Sequence, residues 1–124
     1  MKDYIAVEKN EDRELPIPTA WREKISEIVQ LVPFKGKSIN LPYLSPISSD
    51  DATRIFRTIS SYGGPIDSVS FLTWETSIYL WMDGYWDVLV DLSSGGSRID
   101  LVLFLKVTES DGDYKFHVES VHVP

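Results

Sequence analysis

The sequence predicts an α+β fold: two N-terminal helices packed on a curved four-stranded antiparallel meander. Three observations carry that prediction. Apolar residues recur near every 3.6 positions in two stretches of the first half and alternate at period two through most of the second. The breaks between the alternating stretches are short and glycine-bearing, at Asp83-Gly84, Ser93–Ser97 and Asp111-Gly112, which is turn chemistry for antiparallel neighbours. Helical patterns precede strand patterns instead of interleaving with them, so the helices cover one face of the sheet.

Residues 1–15 open with the apolar patch Tyr4-Ile5-Ala6-Val7 and continue with charged residues from Glu8 to Glu14, which reads as a mobile arm or a short edge strand. Pro16 and Pro18 bring the chain in extended, and Thr19 is a candidate cap for the first helix. Trp21, Ile25, Ile28, Val29 and Val32 form its apolar face, and Pro33 ends it. Pro33, Gly36, Pro42 and Pro46 make residues 33–48 a loop, tucked against the body by Leu41, Tyr43, Leu44 and Ile47. The second helix starts at Ser49 or Asp50, where Asp50 and Asp51 suit the positive helix end. Ala52, Ile55, Phe56, Ile59 and Tyr62 share a face, and Gly63-Gly64-Pro65 stops the helix.

Ser68–Thr73 is a possible short strand, followed by strands at Glu75–Met82, Tyr85–Leu92, Arg98–Val107 and Tyr114–Val123. A two-residue turn at Asp83-Gly84 sets Trp81 across from Trp86 and Tyr79 across from Val88. In the third strand Ile99, Leu101, Leu103, Leu105 and Val107 face one way, while Arg98, Asp100, Val102, Phe104 and Lys106 face the other. In the last strand the apolar phase slips at Glu119-Ser120, and a β-bulge there keeps Phe116, Val118, Val121 and Val123 on one side.

The 124 residues are the length of one domain, with a formal net charge of −7. Residues 1–62 carry nine basic and nine acidic side chains, whereas residues 63–124 carry three basic and ten acidic. That same half holds three of the four Trp residues. The charge argues against gripping a phosphate backbone or an anionic membrane. The chain has no Cys, hence no disulfide, thiolate zinc site or thiol nucleophile. No apolar core of signal-peptide length and no run of membrane-span length is present, so a soluble cytoplasmic protein is expected.

The chemistry-bearing residues point to binding more than to catalysis. His117 and His122, the only histidines, lack metal-ligand spacing and read as rim residues of the last strand. Asp87, Asp91 and Asp100 gather near the second turn; paired carboxylates can do acid/base work when one is desolvated, but a solvated face with Arg98 as partner is the simpler reading. The Ser93–Ser97 loop resembles an anion cradle only superficially, because a strand follows it where a helix N-terminus is needed. Asp111-Gly112-Asp113 lacks the ligand pattern of a calcium loop and reads as a turn. No Ser lies in a G-x-S-x-G context. Of Trp74, Tyr79, Trp81, Tyr85 and Trp86, most should pack in the core, but strand alternation keeps Tyr85 and Trp86 off the same face.

The segments Trp86–Leu92, Gly96–Leu103 and Phe116–Val123 resemble small bacterial domains with a "WDV-VDL … GRSDL-L … I-HV" pattern. The order of helices followed by a curved meander also resembles the nuclear transport factor 2-like fold, a cone whose sheet wraps around helices. The chain departs from the pattern at Ser97-Arg98-Ile99-Asp100, and it offers two clear helices where the cone usually has three. The resemblance implies a binding domain of the kind used as immunity proteins in contact-dependent growth inhibition, or a small-molecule isomerase.

Charge and resemblance together lead to the expectation of a non-enzymatic immunity protein that neutralises a basic, nuclease-type toxin domain. Asp83, Tyr85, Asp87, Asp91, Asp100, Asp111 and Asp113 are its expected partner contacts, with no catalytic residue, cofactor or metal. The carboxylates would steer association and Tyr85 would anchor it. One alternative is a small-molecule-binding or isomerase-type cone with a pocket between helices and sheet, into which Asp100 or His117 would point. Another is a generic interaction domain, with a homodimer through the sheet face as one form.

Overall fold

In the computed structural model, residues 4–31, 41–62 and 65–123 are described. The chain runs β1 (Leu15–Pro16), α1 (Thr19–Leu31), α2 (Ser49–Tyr62), α3 (Phe71–Thr76), β2 (Ile78–Trp81), β3 (Trp86–Ser94), β4 (Ser97–Ser110) and β5 (Asp113–His122). All strands belong to one antiparallel sheet of order β1-β2-β3-β4-β5. The α+β class is as expected, but the described residues hold five strands and three helices where four and two were predicted.

One addition comes from a distant pairing and the other from a local cap. Leu15 and Pro16 pair with Tyr79 and Ile78, so part of the N-terminal stretch is an edge strand, of a length suited to proline. The expected short strand at Ser68–Thr73 is instead irregular to Ser70 and helical from Phe71. The Ser70 N–H donates to Thr73 Oγ1 (3.1 Å), half of a capping box that opens α3. The helix buries Thr73 and leaves Phe71 and Leu72 largely exposed, at 72% and 48%.

The helix caps also differ from expectation in detail. The Thr19 hydroxyl accepts a hydrogen bond from the Ile5 N–H (2.8 Å), tying down the arm. Ser48, not Ser49 or Asp50, caps α2, its Oγ accepting from the Asp51 N–H (3.1 Å). The expected stops at Pro33 and Gly63-Gly64 lie outside the described residues.

The registers match the sequence reading closely. Trp81 faces Trp86 and Tyr79 faces Val88. Asp83 and Gly84 adopt φ of 59° and 127°, the left-handed turn that joins two twisted strands. Leu105 pairs with Val118 but Phe104 with Ser120, so Glu119 is the extra residue of the expected bulge. A second irregularity sets Ile99, Asp100 and Leu101 of β4 against Leu92 alone.

One face of this sheet meets the helices. Trp86, Val88, Val90 and Leu92 of β3 and Leu101, Leu103, Leu105 and Val107 of β4 are buried there. Trp21, Ile25, Ile28 and Val29 of α1 and Ala52, Ile55 and Ile59 of α2 pack against them. Trp21 lies at the centre, with the rings of Tyr79, Trp86, Tyr114 and Phe116 edge-on at 5.3–6.0 Å. Among the described residues its indole N–H has no hydrogen-bond partner. Leu44 closes the outer side of β5 through a bridge to Phe116, as the tucked loop predicted.

Candidate functional site

Strand alternation puts the other half of the sheet's side chains on the face away from α1 and α2. Cross-strand register arranges them in rows. Leu80, Asp87, Lys106 and His117 form one, Ile78, Leu89, Phe104 and Ser120 the next, and Asp91, Val102 and His122 a third. The bulge at Glu119 is what brings His117 and His122 to this same face. Ile78, Leu80, Leu89, Val102 and Phe104 thus form a continuous apolar centre. None of the five belongs to the core cluster or packs against it. Four are half-buried, and Val102 is 4% exposed. The outer face of a one-sided antiparallel sheet is ordinarily polar; an apolar centre rimmed by charge is the anatomy of a protein interface.

The polar rim is electrostatically mixed. Burial raises the Asp87 carboxyl above its ordinary range, opposed by Lys106 beside it and reinforced by Glu119. Burial lowers His117, Glu119 opposes, and Lys106 and Lys115 add to the lowering. The His117 ring meets Thr108 Oγ1 at 3.2 Å, and His122 stacks edge-on against Phe104 at 6.2 Å. The Lys106 ammonium sits 4.3 Å from the centre of the Tyr85 ring. Asp91 accepts from the Thr76 hydroxyl and lies 3.5 Å from the Arg98 guanidinium.

The seven expected contact residues therefore fall into three places. Tyr85, Asp87 and Asp91 lie on the open face, half-buried. Asp83 belongs to the β2–β3 turn, Asp111 to the β4–β5 turn, and Asp113 opens β5 directly after it; all three are exposed, and the meander puts both turns at one end of the sheet. Asp100 sits toward the other end, in the β4 irregularity, where its N–H donates to the Tyr62 hydroxyl (3.0 Å). Lys106, His117 and His122 stand among the carboxylates of the face, so its charge is interspersed and its distinguishing feature is apolar.

Sequence reasoning noted Val102 and Phe104 on this side but did not join them to Ile78, Leu80 and Leu89. The signal was present: strands β2, β3 and β4 each carry apolar residues at both parities near their middles, which a sheet covered on one face alone does not require.

The glycine loop has its own answer. The N–H groups of Gly95 and Gly96 donate to the Asp67 carboxylate at 3.2 and 2.8 Å, and the Asp67 N–H donates to the Ser93 carbonyl at 2.8 Å. The loop does cradle an anion, and that anion is a side chain of this protein. A cleft of about 120 Å³ beside it is lined by Ser70, Leu72, Asp91 and Arg98 among others. Between helices and sheet, by contrast, the space that a small-molecule cone would need is filled by Trp21, Tyr79, Trp86 and Phe116, all 1% exposed or less. His117 faces the opposite side and Asp100 is exposed, so neither enters it.

Among the described residues, no group of three His, Cys, Asp or Glu is placed to hold a metal ion. No described helix is long and apolar enough to cross a membrane. A family model described as "Domain of unknown function (DUF7668)" matches residues 33–124. No curated protein and no solved structure matches.

Proposed function

We propose, for a chain that belongs to this domain family of unknown function, a non-enzymatic role: it binds a protein partner on the open face of its sheet. The observation that carries the reading is the apolar centre of Ile78, Leu80, Leu89, Val102 and Phe104, which no described helix side chain of the core covers. Tyr85, Asp87, Asp91, Lys106 and His117 form a polar border able to fix the partner's register. The net charge of −7, with Asp83, Asp111 and Asp113 projecting from two neighbouring turns, favours a basic partner by steering encounter.

An immunity protein that neutralises a basic, nuclease-type toxin domain in the cytoplasm is the form of this function that the charge suits best. Register irregularities such as the two in β3–β5 tend to bend a sheet, and α3 is a third helix; both features favour kinship with the nuclear transport factor 2-like cone. Fold kinship by itself leaves function open, so the site carries the argument.

The test is co-expression with a basic toxin domain encoded beside this gene. Phe104→Arg should keep the fold yet lose co-purification and growth protection. Asp83→Lys with Asp111→Lys should slow association while changing dissociation little. Full protection by a folded Phe104→Arg chain would overturn the reading.

A further inference from the structure

The N-terminal arm is held in an unusual way. The Tyr79 hydroxyl accepts from the Glu8 N–H (2.7 Å) and lies 3.3 Å from the Ala6 carbonyl, to which it donates. Trp86 Nε1 donates to the Glu8 carbonyl (2.8 Å). Thr19 closes a reciprocal pair with Ile5: its N–H donates to the Ile5 carbonyl (2.9 Å), and its hydroxyl accepts from the Ile5 N–H. Groups from α1, β2 and β3 thus converge on the backbone of residues 5–8.

The arm's side chains contribute much less. Tyr4, Ala6 and Glu8 point to solvent, while Val7 packs against the core. Lys9 is seated by charge, its ammonium 3.2 Å from the Glu109 carboxylate and 5.1 Å from the centre of the Trp81 ring. Tyr79 and Trp86 are each 1% exposed, so emptying this berth would strip partners from two otherwise buried polar groups. The exposed run Glu11–Glu14 links the arm to β1.

We propose that this berth is a second binding site, a groove that reads peptide backbone. The arm fills it in cis, and an extended segment of a partner fills it in trans. Backbone contacts accept any extended sequence. The Val7 seat requires an aliphatic residue, and the Glu109–Trp81 seat a lysine or arginine two positions later. A segment of that kind is one that a basic partner can supply. The site shares no residue with the open sheet face and goes beyond the docking role assigned there.

The experiment uses the full-length chain and a fluorescein-labelled peptide with the sequence of residues 4–14, read by fluorescence anisotropy. In the wild type the tethered arm competes at high effective concentration, so a Val7→Asp chain should bind the peptide at least ~10-fold more tightly. A peptide carrying Lys9→Glu should bind several-fold more weakly, and one carrying Val7→Asp should not bind. If the Val7→Asp chain fails to fold by circular dichroism, the exposed Lys9→Glu substitution in the full chain serves instead, with a several-fold gain expected. A folded arm variant that binds the peptide no better than wild type overturns the proposal, as does equal binding of the Val7→Asp peptide. A Phe104→Arg variant should leave peptide binding unchanged, so failure here and failure of the open-face reading can be told apart.

Discussion

Leu103 and Phe104 are chain neighbours on β4 and point to opposite faces, so substituting each by alanine tests the two-faced sheet directly. Leu103 is fully buried in the core cluster between β4 and the helices. Its truncation removes buried methylene groups and leaves a cavity, which costs about 2–5 kcal/mol. Phe104 is half-buried and lies outside that cluster. It touches cross-strand neighbours, including the His122 ring at 6.2 Å. Pairs of that kind contribute roughly 0.2–1 kcal/mol each, so Phe104→Ala should cost about 1 kcal/mol. For a chain of this length, about 1 kcal/mol corresponds to a Tm change of roughly 3–5 °C. The larger side chain should therefore be the cheaper to remove, by a Tm gap of at least ~3 °C. Thermal and urea melts followed by circular dichroism measure both variants. If Phe104→Ala destabilises as much as Leu103→Ala, the supposedly open face is packed, and the reasoning about its function fails with it.

Two further outcomes follow from the same geometry. Asp67→Ala releases the N–H groups of Gly95 and Gly96, and losing two charge-assisted bonds at a partly exposed site should cost about 1–2 kcal/mol in urea melts, with faster hydrogen exchange at both glycines. The pH dependence has two parts of opposite sign. His117 titrates below its ordinary 6.5 in the fold, so its neutral form supports the fold above that pH, and the support fades as pH falls through the lowered value. Asp87 titrates above its ordinary 3.8, so its contribution is present below that pH and is lost as pH rises through the raised value. Asp87→Asn should accordingly raise Tm at pH 7 but not at pH 3, and His117→Gln should flatten the decline in Tm between pH 7 and 5. Melts across pH that show the reverse order for either variant would contradict these assignments.

Much of the fold was legible because its signals are local. Trp21, Ile25, Ile28 and Val29 share a stripe through helical periodicity alone, and Asp83-Gly84 dictates the pairing of Trp81 with Trp86 through turn geometry alone. Even the bulge at Glu119 could be located, because a slip of one residue in a period-two pattern has few other remedies. The short helix at Phe71 was missed: its six residues span less than two turns, too few to show a repeating stripe, and the Ser70 N–H donating to the Thr73 hydroxyl is a cap that only the folded backbone displays. The two-residue strand at Leu15 is one of two conformations the local sequence allows, since its pairing with Tyr79 spans more than sixty residues of chain.

The functional surface divides along the same line. By itself the sequence determined the charge of each half, the turns beside Asp83, Asp111 and Asp113, and the parity of residues in β2 to β5, because all of these depend on composition or on neighbours in the chain. Only the tertiary structure decided which parity the helices would cover. That choice left Ile78, Leu80, Leu89, Val102 and Phe104 together on the open side, and it set Tyr79 and Trp86 against an arm about seventy residues away. Burial is a property of elements packed across the whole chain, so no local pattern states which of two faces containing apolar residues stays open.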